Sequence, residues 1–318
     1  MNQSIINIVD LPDEILLYIL KKLNNFDVLY SLVGVNEKLD RVVCDVSFTR
    51  LVDLITIESN QVTDSRNHAI LDRFCMEILP RIHDKVESLT LQACFLPCVL
   101  RATNYLQLRK LVIINLKFTM ALYIFNEKSP FIYVLKQISD LVVTISDEIL
   151  EKSNMKLLTY IYNRIFGLVT NLKYLDMDSS DTYTSSRSLL TGLPSTTCCS
   201  SSIVHLRIKM QNIDDCLYLL DGRLSQLHTL LIILDYIHDP VQISQMPRLH
   251  TFHFDIATEY VSINEQQPNP TPDDIRRTFT ERGYHVDCYI DYGIYNSGRC
   301  HVYSSSFDME RRFPSIRT

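Results

Sequence analysis

Seven times between residues 86 and 254 the chain repeats an apolar triplet of the form Leu-x-x-Leu-x-Leu. The copies are Val86, Leu89, Leu91; Leu108, Leu111, Ile113; Ile138, Leu141, Val143; Leu172, Leu175, Met177; Ile203, Leu206, Ile208; Leu227, Leu230, Ile232; and Leu249, Phe252, Phe254. Their starts lie 22, 30, 34, 31, 24 and 22 residues apart. A period of roughly 20–50 residues marks a solenoid, in which no unit can bury its apolar face alone and each stacks on its neighbours. Within each triplet the last two members stand two residues apart, the spacing that turns both side chains to one side of a strand. Helical returns are legible between copies at 96–105, 131–137, 155–166 and 213–220. The expectation is an α/β fold whose strands form a parallel sheet.

The residues between the inward ones then line the other face of that sheet, where solenoids hold their ligands. Two sets stand out. Asp176 and Asp178 fall beside Arg207 and Lys209 on adjacent strands, read either as a cross-strand charge ladder or as a recognition surface. Val112 and Ile114, with Leu231 and Ile233, are apolar where solvent is expected. An exposed apolar patch marks a binding surface, unless the register slips or a loop covers it.

Ahead of the repeats, Leu11-Pro12-Asp13-Glu14-Ile15-Leu16 opens a helix. Proline suits the first helical position, and two carboxylates in the first turn meet the positive end of the helix dipole, with Glu14 able to reach back as a cap. Ile15, Leu16, Ile19, Leu20 and Leu23 follow at helical spacing. Asn25 or Asp27 caps a second pattern of Val28, Leu29, Leu32 and Val35, and Asn36 a third of Leu39, Val42, Val43 and Val46. Three short helices in fewer than about 50 residues carry more apolar side chains than a private core of that size encloses. The surplus needs another surface, either the following domain or a partner.

Along most of its length this stretch resembles an F-box, the three-helix module that docks onto the Skp-type adaptor of a cullin-RING ubiquitin ligase. The resemblance implies that Leu11, Pro12, Ile15, Ile19, Leu20, Leu23, Leu29, Leu32 and Val35 bear on that adaptor or brace the residues that do. The pattern departs at the third helix, where Asn36-Glu37-Lys38-Leu39 replaces basic residues and an aromatic, and no Trp occurs in the chain. The repeats in turn resemble the leucine-rich-repeat family loosely; its period is about 20–29 residues, so the middle three gaps of 30, 34 and 31 run long. Of the inward Asn or Cys that family places three residues after the last Leu, only Cys94 is found.

The remaining segments read as connections and a cap. Residues 51–85 hold a linker strand and a helix carrying Ile70, Leu71, Phe74, Ile78 and Leu79 that stops at Pro80. Ser179 to Ser202 is rich in Ser and Thr and reads as a loop. Gln266 to Pro272 is a hinge, after which Thr271-Pro272-Asp273-Asp274 opens a helix. His285 to Tyr289 and Cys300 to Ser304 alternate as paired strands that close the open edge of the solenoid. The expected domains are thus 1–50, 51–85, 86–265 and 266–318.

Several chemistries find no support. A net charge of −6 gives no overall attraction to nucleic acid or to an anionic membrane. No basic start with an apolar core marks a secretory leader, and no apolar run reaches about 18 residues, so neither membrane spanning nor secretion is expected. The nine cysteines have no disulfide-like spacing and read as free thiols of a reducing compartment. Cys94 with Cys98, and Cys288 with Cys300 and His301, come nearest to metal-ligand pairs without the usual spacing. With seven glycines there is no phosphate loop or nucleophile elbow, and His205, His228, His250 and His253 form no ligand or catalytic pattern. No catalytic residue, metal or cofactor is expected.

The two resemblances together imply a non-catalytic substrate receptor of an SCF-type ubiquitin ligase, in the cytoplasm or nucleus. The first module docks the adaptor, and through it a cullin, while the repeats hold a protein target for ubiquitin-dependent degradation. The other readings are a repeat scaffold that binds protein outside a ligase and, more distantly, an enzyme with a dispersed site.

Overall fold

A computed structural model describes residues 7–55, 65–145, 153–178, 199–210, 224–234, 253–258, 271–280, 285–292 and 298–304. The chain is α/β with a predominantly parallel sheet. It folds as two compact units, one of Met1–Leu116 with Tyr133–Val143, the other of Lys117–Ile132 with Thr144–Thr318.

The first unit opens with four helices: α1 (Asp13–Leu20), α2 (Asn25–Leu32), α3 (Glu37–Val43) and the single turn α4 (Val46–Thr49). Several details differ from the sequence expectation. Pro12 is the N-cap of α1 rather than its first residue, no side chain caps that end, and α1 stops at Leu20, which leaves Leu23 beyond it. The α2 cap is Asn24, whose Oδ1 accepts from the Phe26 N–H at 2.9 Å, so neither Asn25 nor Asp27 has that role. Val46 does not continue α3, because Asp45 accepts from the Ser47 N–H at 2.9 Å and starts α4 afresh. Asn36 caps α3 as expected.

The segment that follows is structural rather than a linker. Strand β1 (Leu51–Asp53) pairs in parallel with β2 (Ser88–Gln92), and the order in this unit continues through β3 (Lys110–Leu116) to β4 (Asp140–Ile145). Between β1 and β2 lie α5 (Ser65–Arg73), a π-helical turn (Phe74–Ile78) and α6 (Leu79–Ile82). The helix does not stop at Pro80. In an α-helix the proline ring would collide with the carbonyl four residues back; here the Leu79 N–H reaches five back to the Phe74 carbonyl, and Pro80 sits in the first turn of α6, where a missing N–H costs nothing.

The expected returns appear as α7 (Leu96–Ala102) and α9 (Ile132–Gln137). Turns between strands are fastened by side chains. The buried Tyr105 hydroxyl donates to the Val99 carbonyl at 2.8 Å, one of the orphan carbonyls at the end of α7. The Gln137 amide donates to the carbonyls of Tyr105 and Leu108 at 2.8 and 2.9 Å.

The second unit contains α8 (Phe118–Ile124), which the sequence pattern did not reveal, and α10 (Ser153–Leu168), which it did. Strands β5 (Tyr174–Asp178), β6 (His205–Met210), β7 (Thr229–Leu234) and β8 (His253–Thr258) run parallel in that order. Their register places Leu175, Leu206, Leu230 and Phe254 side by side. Leu175, Leu206, Leu230 and Ile232 are wholly buried, and burying each is worth roughly 1.5–3 kcal/mol. In the first six copies the second and third apolar residues lie on β2 to β7 and are buried, in the expected phase; of the seventh, Phe254 alone falls among the described residues, on β8.

After β8 comes α11 (Pro272–Thr280), opened by a reciprocal cap between Thr271 and Asp274. Then β9 (Val286–Tyr292) and β10 (Gly298–Ser304) pair antiparallel, and β10 also pairs antiparallel with β8. The hairpin closes the edge of the parallel strands, as its alternation suggested. The readings at 213–220, 249–252 and 266–270, and of the Ser/Thr-rich stretch up to residue 198, fall outside the described residues.

Candidate protein-docking surface

The helix α1 carries two apolar stripes. At about 100° per residue, Leu16 and Leu20 point one way and are buried against the module's own core of Val28, Leu29, Val33, Leu39 and Val43. Ile15, Tyr18 and Ile19 point the other way and remain 46%, 66% and 38% exposed, with Leu23, just past the helix, at 55%. Lys22 extends over the Tyr18 ring, its ammonium 5.0 Å from the centroid. The five apolar residues at helical spacing thus divide between a buried and an open stripe.

A second apolar element stands by the start of α1. Gly34, at φ +82°, ends α2 in the left-handed region, and its N–H donates to Asp40 at 2.6 Å. The turn it makes leaves Val35 exposed at 61%. Two residues into α3, the Lys38 ammonium donates to the carbonyls of Val9 and Leu11 at 2.9 and 2.7 Å and lies 3.8 Å from Asp13. This cation fastens the chain entering α1 to α3, the helix that departs most from the resembled pattern.

Behind the module is a rigid support within the same unit. Phe74 of the π-turn is fully buried and stacks on Phe26 at 4.9 Å and on Tyr30 at 6.1 Å. The Arg73 guanidinium lies 4.9 Å over Tyr30 and donates to the Val33 carbonyl at 3.0 Å. Arg81 pairs with Asp40 at 2.7 Å, and Lys85 donates to the Cys44 carbonyl at 2.8 Å. Burial pushes the Cys44 thiol up from its ordinary value, while hydrogen bonds from the Ser47 side chain and backbone hold the Asp45 carboxyl below its own.

The nine module residues singled out by sequence thus divide. Pro12, Ile15, Ile19, Leu23 and Val35 are exposed, Leu11 and Leu32 are half-buried, and Leu20 and Leu29 are buried and can only brace. Tyr18 belongs to the exposed set as well, and its position three after Ile15 is the sequence signal that places it there.

The repeat strands present a different picture. Val112, Ile114 and Ile233 are half-buried, but Asp176, Lys209 and Leu231 are only 2%, 4% and 4% exposed. Asp176 and Arg207 are in register and 3.3 Å apart, with Arg207 also largely buried, so the pair is not the surface charge ladder expected. Tyr174, His205 and His228 pack ring against ring along the same face, at 6.5 and 6.3 Å. The Asp178 side chain lies outside the described residues. On β5 to β7, then, this face is packed. Of the cysteines, Cys98 meets Cys75 rather than Cys94, and Cys94 is exposed rather than inward. Among the described residues no group of three or more His, Cys, Asp or Glu is placed to hold a metal, and no helix is long and apolar enough to cross a membrane.

In comparison with known proteins, no family model matches the chain and no curated protein matches it in sequence.

Proposed function

We propose that the N-terminal module docks a Skp-type adaptor of a cullin-RING ubiquitin ligase and that the repeat domain presents a protein target to that ligase. The observation that carries the reading is the outward stripe of Ile15, Tyr18, Ile19 and Leu23, open beside a core that is already complete without it. A stripe that a lone domain needed for its own stability would be covered. Aromatic and large aliphatic anchors grouped on one helix are what a partner's groove takes up.

On this reading the chain performs no chemistry. Its contribution is effective concentration, holding target lysines near a ligase-bound conjugating enzyme. Phe74 and Arg73, packed under the module, tie it to the segment that leads into the first repeats. Val112 and Ile114 on β3 are the target-binding candidates of the first unit; Asp176, Lys209 and Leu231, being packed, act as structure.

Co-purification of the full chain with a purified Skp-type adaptor tests the proposal. Ile15→Asp and Leu23→Asp weaken the complex at least about tenfold each, the loss of roughly 1.4 kcal/mol or more per anchor. Both leave the unfolding midpoint near that of the parent, since neither side chain is in the core. A complex that survives both changes, or that never forms, removes the ligase reading and leaves the repeats as a scaffold.

A further inference from the structure

We infer that Cys75 and Cys98 form a modification site, a thiol pair that a hydroperoxide converts to an intramolecular disulfide. Their Sγ atoms are 3.1 Å apart, one on the π-turn and the other on α7, which pack against each other. That separation is about 1 Å longer than a disulfide bond, so closure asks for a small side-chain movement. The pair is also asymmetric. Cys98 is exposed, whereas Cys75 is 5% exposed and behind it. Burial and the neighbouring Cys98 sulfur push the Cys75 thiol up, which keeps it from reacting first.

The chemistry balances with one hydroperoxide. The Cys98 sulfur, as thiolate, attacks the peroxide O–O bond; an S–O bond forms, the O–O bond breaks, and the alcohol leaves with the proton. The Cys75 sulfur then attacks the Cys98 sulfenic acid. An S–S bond forms, the S–O bond breaks, and the released hydroxide takes the Cys75 proton as water. Two thiols and one hydroperoxide give one disulfide, one alcohol and one water.

The bridge would clamp the segment from residue 75 to 98, which contains α6 and β2. It begins one residue after Phe74, the ring on which Phe26 and Tyr30 stack. Oxidation therefore stiffens the support of the N-terminal module, whatever that module docks.

The test uses the full chain, reduced, desalted and treated with hydrogen peroxide, then alkylated in denaturant and mapped by mass spectrometry. The expected product is a cross-linked peptide pair joining Cys75 to Cys98, and an unfolding midpoint raised by roughly 5 °C and restored by dithiothreitol. Cys98→Ser abolishes both effects, and Cys94→Ser preserves both. Cys98 found joined to Cys94, or taken on to sulfinic acid while Cys75 is still alkylated, overturns the assignment. A 75–98 link that leaves the midpoint unmoved overturns the clamp. The map of the parent protein decides the pairing even if a variant misfolds.

Discussion

Gly34 shows how little a single residue needs in order to matter. It turns the chain out of α2 at φ +82°, and a Cβ added there would meet no atom within 4 Å. The cost of Gly34→Ala is therefore conformational alone, about 1 kcal/mol, read as a lower denaturant midpoint with an unchanged slope. Asp45 acts through charge. Because Ser47 holds its carboxyl below the ordinary value, the folded chain binds that proton less readily than the unfolded one. The contribution is complete above about pH 4 and is lost as pH falls through the depressed value. Asp45→Asn keeps an acceptor for the cap but removes this titration, so its stability falls less steeply than the parent's as the pH drops below about 4 in denaturant titrations.

Elements were legible from sequence to the degree that their signals repeat. The strand phase was overdetermined, since one slip in register would turn Leu89, Leu111, Leu141 and the corresponding residues outward together. Helix ends were less so: Asn24, Asn25 and Asp27 are all competent caps, and only backbone geometry selects Asn24. The continuation through Pro80 was hidden because a π-turn has no compositional mark. The packing of Asp176, Lys209 and Leu231 was hidden for another reason. Alternation along a strand tells which residues share a face, and nothing about what lies over that face. The same π-turn supplies the sharpest element-scale prediction. Phe74→Ala removes the ring shared by Phe26 and Tyr30 and costs roughly 3–5 kcal/mol. A thermal scan would show it as a large fall in midpoint, whereas truncating the exposed Met76 in the same turn changes little.

For the molecule as a whole, the four N-terminal helices and the segment that supports them are one structure. A fragment of residues 1–50 keeps Leu16, Leu20, Val28 and Leu29 but loses Phe74, Arg73, Arg81 and Lys85, its partners across the support. Such a fragment shows no cooperative thermal transition by circular dichroism, while one extended through residue 143 recovers it. The expected boundary at residue 50 falls inside the first compact unit, Met1–Leu116 with Tyr133–Val143.

Among the described residues the order of strands in the second unit ends on β9, on which α11 packs, and no described strand pairs with its outer flank. Tyr289 is exposed on it, but Asp287 is exposed as well, and Val286 of β9 and Val302 of β10 are buried. Two copies meeting flank to flank would bring like charges together before their hydrogen bonds could form. Asp287 on the terminal strand is thus a charge that disfavours edge-to-edge pairing of two copies.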